Sequence, residues 1–257
     1  MAARKAGKEV PDLETVICGR NRLENGSMMA WAKAYTLHNK VRTVKMVQNG
    51  IRSEGITHLF TDGLNKAASL QVLNMQDNTF TRTGSKALAS AVQGWPELQE
   101  LDVGDCFLTT KGWNHISRAL AKGQNGKLEI LRIQFNEIKA AGIQSLSEFA
   151  EASLPKLRRL ELDGNKLSEE DPSILKLQEI LEDRKGDFED DEWGIGDLDE
   201  LDDESEEESS EEEEELEREK LAETLVKEAE EAQEEPTVQV QDSEVDKLAK
   251  KLEKTEI

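Results

Sequence analysis

The sequence predicts an α/β solenoid, in which short parallel strands form one curved sheet and a helix lies outside each strand. Three observations predict it: apolar residues alternate in short segments, an asparagine follows each segment at a fixed distance, and the unit recurs every 28 to 30 residues. Six segments fit the pattern L-x-x-L-x-L-x-x-N-x-L: LETVICGRNRL from Leu13, VRTVKMVQNGI from Val41, LQVLNMQDNTF from Leu70, LQELDVGDCFL from Leu98, LEILRIQFNEI from Leu128 and LRRLELDGNKL from Leu157.

Each unit is predicted to contain one strand. Its last two apolar positions are two residues apart, so they lie on one face and point into the solenoid. The strands are predicted near 15–19, 43–47, 72–76, 100–104, 130–134 and 159–163, all parallel. The residues predicted to point outward on the concave sheet are Ile17, Lys45, Asn74, Asp102, Arg132 and Glu161.

The asparagine of each unit is predicted to turn inward, where its amide satisfies backbone groups of the neighbouring coils. This interpretation applies to Asn21, Asn49, Asn78, Asn136 and Asn165. In the fourth unit Cys106 occupies the asparagine position, because a small, weakly polar thiol tolerates burial.

A convex helix is predicted after each turn. Glycine falls six residues after the asparagine position in four units, at Gly55, Gly84, Gly112 and Gly142, and apolar residues then recur at helical spacing. Repeats of this length have room for a full helix, whereas leucine-rich repeats of about 20 to 24 residues usually have a shorter turn there. The fold class is therefore a leucine-rich repeat solenoid of the long-repeat type, similar in shape to ribonuclease inhibitor.

Charge divides the chain into two parts. Residues 186–257 carry 32 acidic and 7 basic side chains, a net charge of −25, whereas residues 1–185 carry 23 acidic and 26 basic ones, a net charge of +3. We predict a leader over 1–12, a repeat domain over 13–185 and a mostly disordered acidic tail over 186–257. Helices are predicted in the tail at 211–233 and 243–254. A helix over 174–184 is predicted to cap the last repeat, and Trp193 either covers its apolar end or stays exposed.

Several function classes find no support in the sequence. No apolar run approaches the roughly 20 residues of a membrane-spanning helix, and the first residues lack the apolar core of a signal peptide. The two cysteines have no metal-ligand spacing, which indicates a reducing compartment. The three histidines, His38, His58 and His115, lie in predicted helical segments with no paired cysteine or carboxylate motif. We therefore predict no catalytic residue, no cofactor and no metal site.

Four segments carry a resemblance beyond the repeat pattern: ICGRNRLENGSMMAWAK, VKMVQNGIRSEGI, LNMQDNTFT and LELDGNKLSEED. They closely resemble the Ran GTPase-activating proteins of fungi. The resemblance implies a regulator rather than an enzyme, which accelerates GTP hydrolysis by the small GTPase Ran in nucleocytoplasmic transport. It implies Ran in its GTP-bound form as the partner, with or without a Ran-binding protein, and neither nucleic acid nor membrane. It also implies a location in the cytoplasm, at the nuclear envelope or partly in the nucleus.

The resemblance covers all six repeats and the acidic tail, which correspond to the C-terminal half of the family. We therefore expect further repeats before residue 1. The family's catalytic asparagine and an important arginine lie in those earlier repeats, and no position of this chain corresponds to them. The chain alone is expected to bind Ran weakly and to accelerate its GTP hydrolysis little.

Contact residues are predicted on the rim formed by the strand-to-helix loops. The residue immediately before each asparagine position is predicted to be exposed there: Arg20, Gln48, Asp77, Asp105, Phe135 and Gly164. Arg22 matches the arginine of the family's GRNR motif, which is implicated in engaging Ran. The predicted Ran-binding residues are Arg20, Arg22, Gln48, Asp77 and Asp105. The alternative is that the two arginines are ordinary solvated charges.

A second function class is a leucine-rich acidic nuclear protein that binds histones or other basic partners. It too joins leucine-rich repeats to an acidic tail. Such proteins have shorter repeats without regular convex helices, so the period of 28 to 30 residues favours the regulator of Ran. Ribonuclease inhibitors are cysteine-rich, whereas this chain has 2 cysteines.

Overall fold

The computed structural model describes residues 12–38, 40–185 and 193–198. The predicted tail helices at 211–233 and 243–254, and nearly all of the predicted leader, lie outside these residues. Seven parallel strands form one sheet in chain order. The strands are β1 Thr15–Ile17, β2 Thr43–Lys45, β3 Val72–Asn74, β4 Glu100–Asp102, β5 Ile130–Arg132, β6 Arg159–Glu161 and β7 Gly194–Ile195. The helices are α1 Met28–Leu37, α2 Ser53–His58, α3 Thr81–Ala91, α4 Thr109–Leu120, α5 Ala140–Ser153 and α6 Pro172–Lys185.

The predicted parallel sheet is confirmed. Equivalent positions of successive repeats face each other, as Val16 faces Val44 and Leu101 faces Leu131. The six predicted strands, β1 to β6, have three residues each rather than the predicted five. Backbone pairing nevertheless continues past the end of β1, where the N–H of Cys18 donates to the Lys45 carbonyl oxygen at 2.8 Å.

The residues at the asparagine position of successive repeats form a row of hydrogen-bonding side chains along the solenoid, which we call the asparagine ladder. Asn136 shows its geometry. Its side chain is fully buried. Its Oδ1 accepts the N–H groups of Cys106 and Leu108 at 2.9 and 3.1 Å, and its Nδ2 donates to the carbonyl oxygens of Val103 and Ile133 at 2.9 and 3.0 Å. One amide therefore joins its own coil to the preceding one, and buried backbone groups find partners as they must.

Two members of the ladder differ from the rest. Cys106 is fully buried, and its Sγ lies 3.3 Å from the carbonyl oxygens of Met75 and Gly104, which confirms that the thiol replaces an asparagine. Burial raises the pKa of this thiol. The prediction that Asn21 turns inward is wrong, since its side chain is exposed and donates to the Gly19 carbonyl oxygen at 2.7 Å. Among the described residues no coil precedes Asn21 to cover it.

The convex helices pack closely because small residues separate them. Gly55, Gly84, Gly112 and Gly142 are all buried near the start of their helices. A Cβ added at Gly112 would lie 2.6 Å from Ser85 Oγ on α3, closer than any side chain tolerates. Glycine at this position therefore sets the distance between α3 and α4.

The C-terminal end of the solenoid is covered by α6, which buries Ile174, Leu177 and Leu181. This confirms the predicted capping helix. Trp193 folds back and donates its Nε1 hydrogen to the Leu181 carbonyl oxygen at 2.7 Å. Of the two predicted alternatives, the structure therefore has the one in which Trp193 packs at the end of the solenoid and not the one in which it stays exposed. The segment that follows it forms β7 and pairs with β6, a strand that the repeat pattern did not predict.

Arg184 ties α6 to the preceding helix. Its guanidinium donates to the carbonyl oxygens of Leu154 and Leu157, both at 2.9 Å, and of Ala150 at 3.0 Å. These carbonyls lie at and beyond the C-terminal end of α5. The Ala150 and Leu154 carbonyl oxygens also accept the N–H groups of Leu154 and Leu157, so the guanidinium adds a second donor to each. A cation there also opposes the negative end of the helix dipole. Burial lowers the pKa of Arg184, although the charge of Glu151 acts in the opposite sense.

The concave surface of the sheet is not uniformly exposed. Ile17 on β1 is 71% exposed, as an outward position predicts, but Asp102 on β4 is only 4% exposed. Asn74 Nδ2 donates to Asp102 Oδ2 at 2.7 Å, and the N–H of Gly104 donates to its Oδ1 at 3.1 Å. Burial raises the pKa of Asp102, and the Gly104 N–H and the charge of Arg132 reduce that effect.

Candidate partner-binding rim

The loop rim is defined as the strand-to-helix loops of the six repeats. In every repeat the residue immediately before the asparagine position has a left-handed backbone. The φ values are 57° at Arg20, 52° at Gln48, 58° at Asp77, 51° at Asp105, 55° at Phe135 and 66° at Gly164. Such a conformation costs a residue with a side chain about 1–3 kcal/mol and persists only where the surrounding structure imposes it.

Backbone hydrogen bonds between coils impose this conformation. The N–H of Gln48 donates to the Gln76 carbonyl oxygen at 2.9 Å, and the N–H of Asp77 donates to that of Gly104 at 3.0 Å. The N–H of Asp105 donates to the Gln134 carbonyl oxygen at 2.8 Å. The rim side chains therefore form a row with one member per coil, at roughly the 4.8 Å spacing of paired strands. Most of the predicted rim residues are exposed, and Asp77 and Gly164 are half-buried.

The charge of this row changes along the solenoid. Arg20 and Arg22 stand at the first repeat, Gln48 follows, and Asp77 and Asp105 occupy the next two coils. Partial burial raises the pKa of Asp105, and the negative charge of Asp77 raises it further. Within the described residues these two carboxylates on neighbouring coils form no ion pair, and a cation from a partner would relieve their repulsion.

Three of the five predicted contact residues meet in one groove. The groove has a volume of about 410 Å³. Its lining consists of Arg22, Glu24, Gln48, Asn49, Gly50, Asp77, Asn78, Thr79 and Phe107. Arg22, Gln48 and Asp77 thus come together, whereas Arg20 and Asp105 are not part of the lining. Whether any of the five contacts Ran stays a prediction.

The sequence pattern missed four members of the groove, Glu24, Gly50, Thr79 and Phe107. Phe107 is 58% exposed, although large apolar side chains are normally buried. It follows Cys106 in the asparagine position, and its φ is 53°. The residue after the asparagine position is also left-handed at Arg22, Gly50 and Glu137. In these four repeats both neighbours of the ladder residue, rather than the preceding one alone, therefore have the left-handed backbone of the rim.

Part of the GRNRLENGS motif has a structural role. Asn25 Oδ1 accepts the N–H of Arg52 at 2.9 Å and that of Gly55 at 3.3 Å, so it satisfies donors at the start of α2 in the next repeat. Arg20 and Arg22 are exposed and form no ion pair among the described residues. Packing therefore explains Asn25 but leaves the two arginines unexplained.

In the described part of the chain, no group of three or more His, Cys, Asp or Glu side chains could hold a metal ion. Within the same residues, no helix combines the length and apolar character needed to cross a bilayer. The prediction that no histidine has a paired carboxylate is wrong for His58, whose Nδ1 lies 2.9 Å from Asp62 Oδ2. This pair joins positions one helical turn apart on the convex side.

Fold and rim together define a leucine-rich repeat protein of the long-repeat type. Family models described as leucine-rich repeats match residues 124–147 and 156–177. The chain is 37% identical over 187 residues to Ran GTPase-activating protein 1 of Saccharomyces cerevisiae, a match that covers 71% of this chain and 46% of the yeast protein. Its repeats are thus similar to those of a fungal Ran GTPase-activating protein, which confirms the resemblance seen in the sequence.

A plant protein shows the same likeness more distantly. The chain is 27% identical over 131 residues to RAN GTPase-activating protein 2 of Arabidopsis thaliana, which covers 51% of this chain and 23% of that protein. The chain therefore spans less than half the length of these two curated relatives.

Proposed function

We propose that this chain is a GTPase activator for Ran, not itself the enzyme, and that the loop rim is its contact surface. The observation that carries the proposal is the groove, which unites Arg22, Gln48 and Asp77 on a chain 37% identical to yeast Ran GTPase-activating protein 1. The proposed partner is Ran in its GTP-bound form, with a Ran-binding protein as an optional third component. The proposed process is nucleocytoplasmic transport, and the proposed location is the cytoplasm, including the nuclear envelope.

The chemistry of the rim suits protein recognition. An exposed arginine offers a planar set of donors that binds a carboxylate through two hydrogen bonds. Arg22 has no such partner within the described residues, and Asp77 offers the complementary charge across the same groove. Phe107 adds an exposed aromatic surface of the kind that is enriched at the centres of interfaces. Charge at the two sides of the groove fixes orientation, and Phe107 supplies apolar burial.

The proposed contribution is positioning rather than bond chemistry. Acceleration of GTP hydrolysis depends on orienting the attacking water and stabilising charge at the transferred phosphoryl group. The resemblance assigns the decisive asparagine to repeats without a counterpart here. We therefore expect this chain to contact Ran but to give only a small part of the acceleration.

Charge reversals on the rim test the proposal. Arg22→Glu and Asp77→Lys would each meet a like charge on Ran, so each should weaken binding by about tenfold or more. The matched control is Lys66→Glu, which reverses an exposed charge on the convex side, away from the groove. Binding is measured by biolayer interferometry with Ran loaded with a non-hydrolysable GTP analogue or with GDP.

A single-turnover assay of GTP hydrolysis with Ran accompanies the binding measurement. Rim variants that bind Ran as tightly as the wild type would refute the contact surface. A lack of preference for GTP-bound Ran would refute the proposed partner state. Full acceleration by this chain would show that the expected upstream repeats are dispensable.

A second candidate function is binding of histones, favoured by the net charge of −25 over residues 186–257. Such binding would depend on long-range attraction and fall steeply with salt. Arg22→Glu and Asp77→Lys lie outside the acidic segment, so they should leave histone binding unchanged while they weaken Ran binding. Histone binding stronger than Ran binding, and unaffected by these variants, would favour this second function.

A further inference from the structure

The convex surface carries a basic patch that the proposed Ran contact does not use. It comprises Arg82 and Lys86 on α3 with His115 and Arg118 on α4. No aspartate or glutamate occurs in residues 78–96 or in residues 106–128, although the whole chain has a net charge of −22. The two segments contain α3 and α4, which are neighbours in the helical layer.

The members of the basic patch lie close enough to influence one another. Partial burial lowers the pKa of His115, and the positive charges of Lys86, Arg82 and Arg118 lower it further. Lys86 and Arg118 are exposed, and within the described residues neither forms an ion pair. Positive charges grouped on two neighbouring helices make this part of the surface favourable for a negatively charged partner.

The borders of the patch limit the size of that partner. On one side α2 and the turn after it carry exposed Glu54 and Asp62, and on the other side α5 carries exposed Glu148 and Glu151. With helix axes about 8–10 Å apart, the patch is two helices wide, or roughly 20 Å. An extended polyanion such as an RNA strand or an anionic membrane would reach past both borders and meet those carboxylates.

The surface between the cations favours a peptide for a second reason. It consists of small polar side chains, among them Thr83, Ser90 and Asn114. Among the described residues, none of the large exposed apolar side chains lies on α3 or α4. Aromatic side chains that would stack on bases, and apolar ones that would enter a bilayer, are therefore missing from this face.

We propose that the basic patch on α3 and α4 binds a short acidic segment of a partner protein. Arg118 is the residue suited to bidentate pairing with its carboxylates, and Lys86 adds a point charge. Because the helices lie on the opposite side of the repeats from the concave sheet, this surface is separate from the rim groove. The proposal does not rest on the proposed activation of Ran.

The test uses the full chain and a fluorescent ten-residue peptide of alternating Asp and Glu, with an Asn/Gln peptide of the same length as its neutral counterpart. The double variant Lys86→Glu/Arg118→Glu removes the patch. The double variant Lys66→Glu/Lys156→Glu makes the same change of net charge at two exposed lysines elsewhere, and so controls for overall charge. Thermal unfolding of each variant shows that it is folded.

Fluorescence anisotropy at about 50 mM salt should show binding of the acidic peptide to the wild type and to the control. For the patch variant we expect binding at least about tenfold weaker, and little binding of the neutral peptide to any protein. Equal binding by the two double variants, or no binding by the wild type, would overturn the proposal. Tighter binding of a ten-nucleotide single-stranded RNA or of phosphatidylserine vesicles would overturn it in favour of another class of partner.

Discussion

Replacement of Asn136 by alanine tests the ladder most directly. The side chain is fully buried, and its loss removes every hydrogen bond that it makes to its own coil and to the preceding one. The Ile133 carbonyl oxygen keeps a second partner, because it also accepts Asn165 Nδ2 at 3.0 Å. The N–H groups of Cys106 and Leu108 and the Val103 carbonyl oxygen have no other partner among the described residues.

The expected loss of stability follows from these three groups. A buried polar group left without a partner costs about 1–3 kcal/mol. Relaxation and entry of water reduce the sum, so we expect Asn136→Ala to lower the free energy of unfolding by about 3–5 kcal/mol. For a domain of this size that corresponds to a fall in Tm of roughly 6–20 °C.

Asn21→Ala is the matched control, since it makes the same chemical change at the exposed end of the ladder. The Gly19 carbonyl oxygen that Asn21 contacts can bind water instead, so the loss should stay below about 1 kcal/mol. Urea unfolding followed by circular dichroism at 222 nm measures both variants. Similar losses for Asn21→Ala and Asn136→Ala would show that burial of the amide does not set its contribution.

Three further predictions concern packing, capping and charge. Gly112→Ala should lower the free energy of unfolding by about 1–3 kcal/mol because its Cβ would meet Ser85 Oγ, and a second change, Ser85→Ala, should restore part of that loss in urea melts. Arg184→Leu should lower Tm because it strips hydrogen bonds from carbonyls at the end of α5; Arg184→Lys should lower it less, and equal Tm values would contradict the role of the guanidinium. Because burial raises the pKa of Asp102, the folded state binds the proton more tightly, and stability falls as pH rises from about 3.9 to that raised pKa. The free energy of unfolding of Asp102→Asn, relative to that of the wild type, should therefore increase with pH across that window. A difference between the two proteins that does not change with pH in urea melts would contradict this prediction.

The repeat strands and helices were predictable because their signals are local. Alternation of apolar residues and the asparagine position placed β1 to β6 in their correct order and direction. β7 was not predictable, since Gly194 and Ile195 show no alternation and pair only because β6 offers an open edge. The burial of Asp102 was equally hidden, because it depends on Asn74 in the neighbouring coil.

The candidate site was predictable only in part. The position before each asparagine identified Gln48 and Asp77, because a left-handed residue there projects onto the rim. The groove also needs Glu24 and Phe107, which come from two different repeats. Their meeting depends on how the first and fourth repeats stack around the intervening loops, and no spacing along the chain contains that information.

The left-handed rim residues have a consequence for how such a surface can change. Their turn is held by backbone hydrogen bonds and by the buried amide beneath, and not by the rim side chain itself. Arg20, Gln48, Asp105 and Phe135 differ in charge, size and polarity, yet they occupy the same backbone conformation within 6° in φ. Proline, whose ring fixes φ near −65°, is excluded at such φ values, and β-branched side chains are disfavoured. The rim side chains can therefore be substituted one coil at a time, by evolution or in a combinatorial library. New binding preferences would then arise without a change in the backbone.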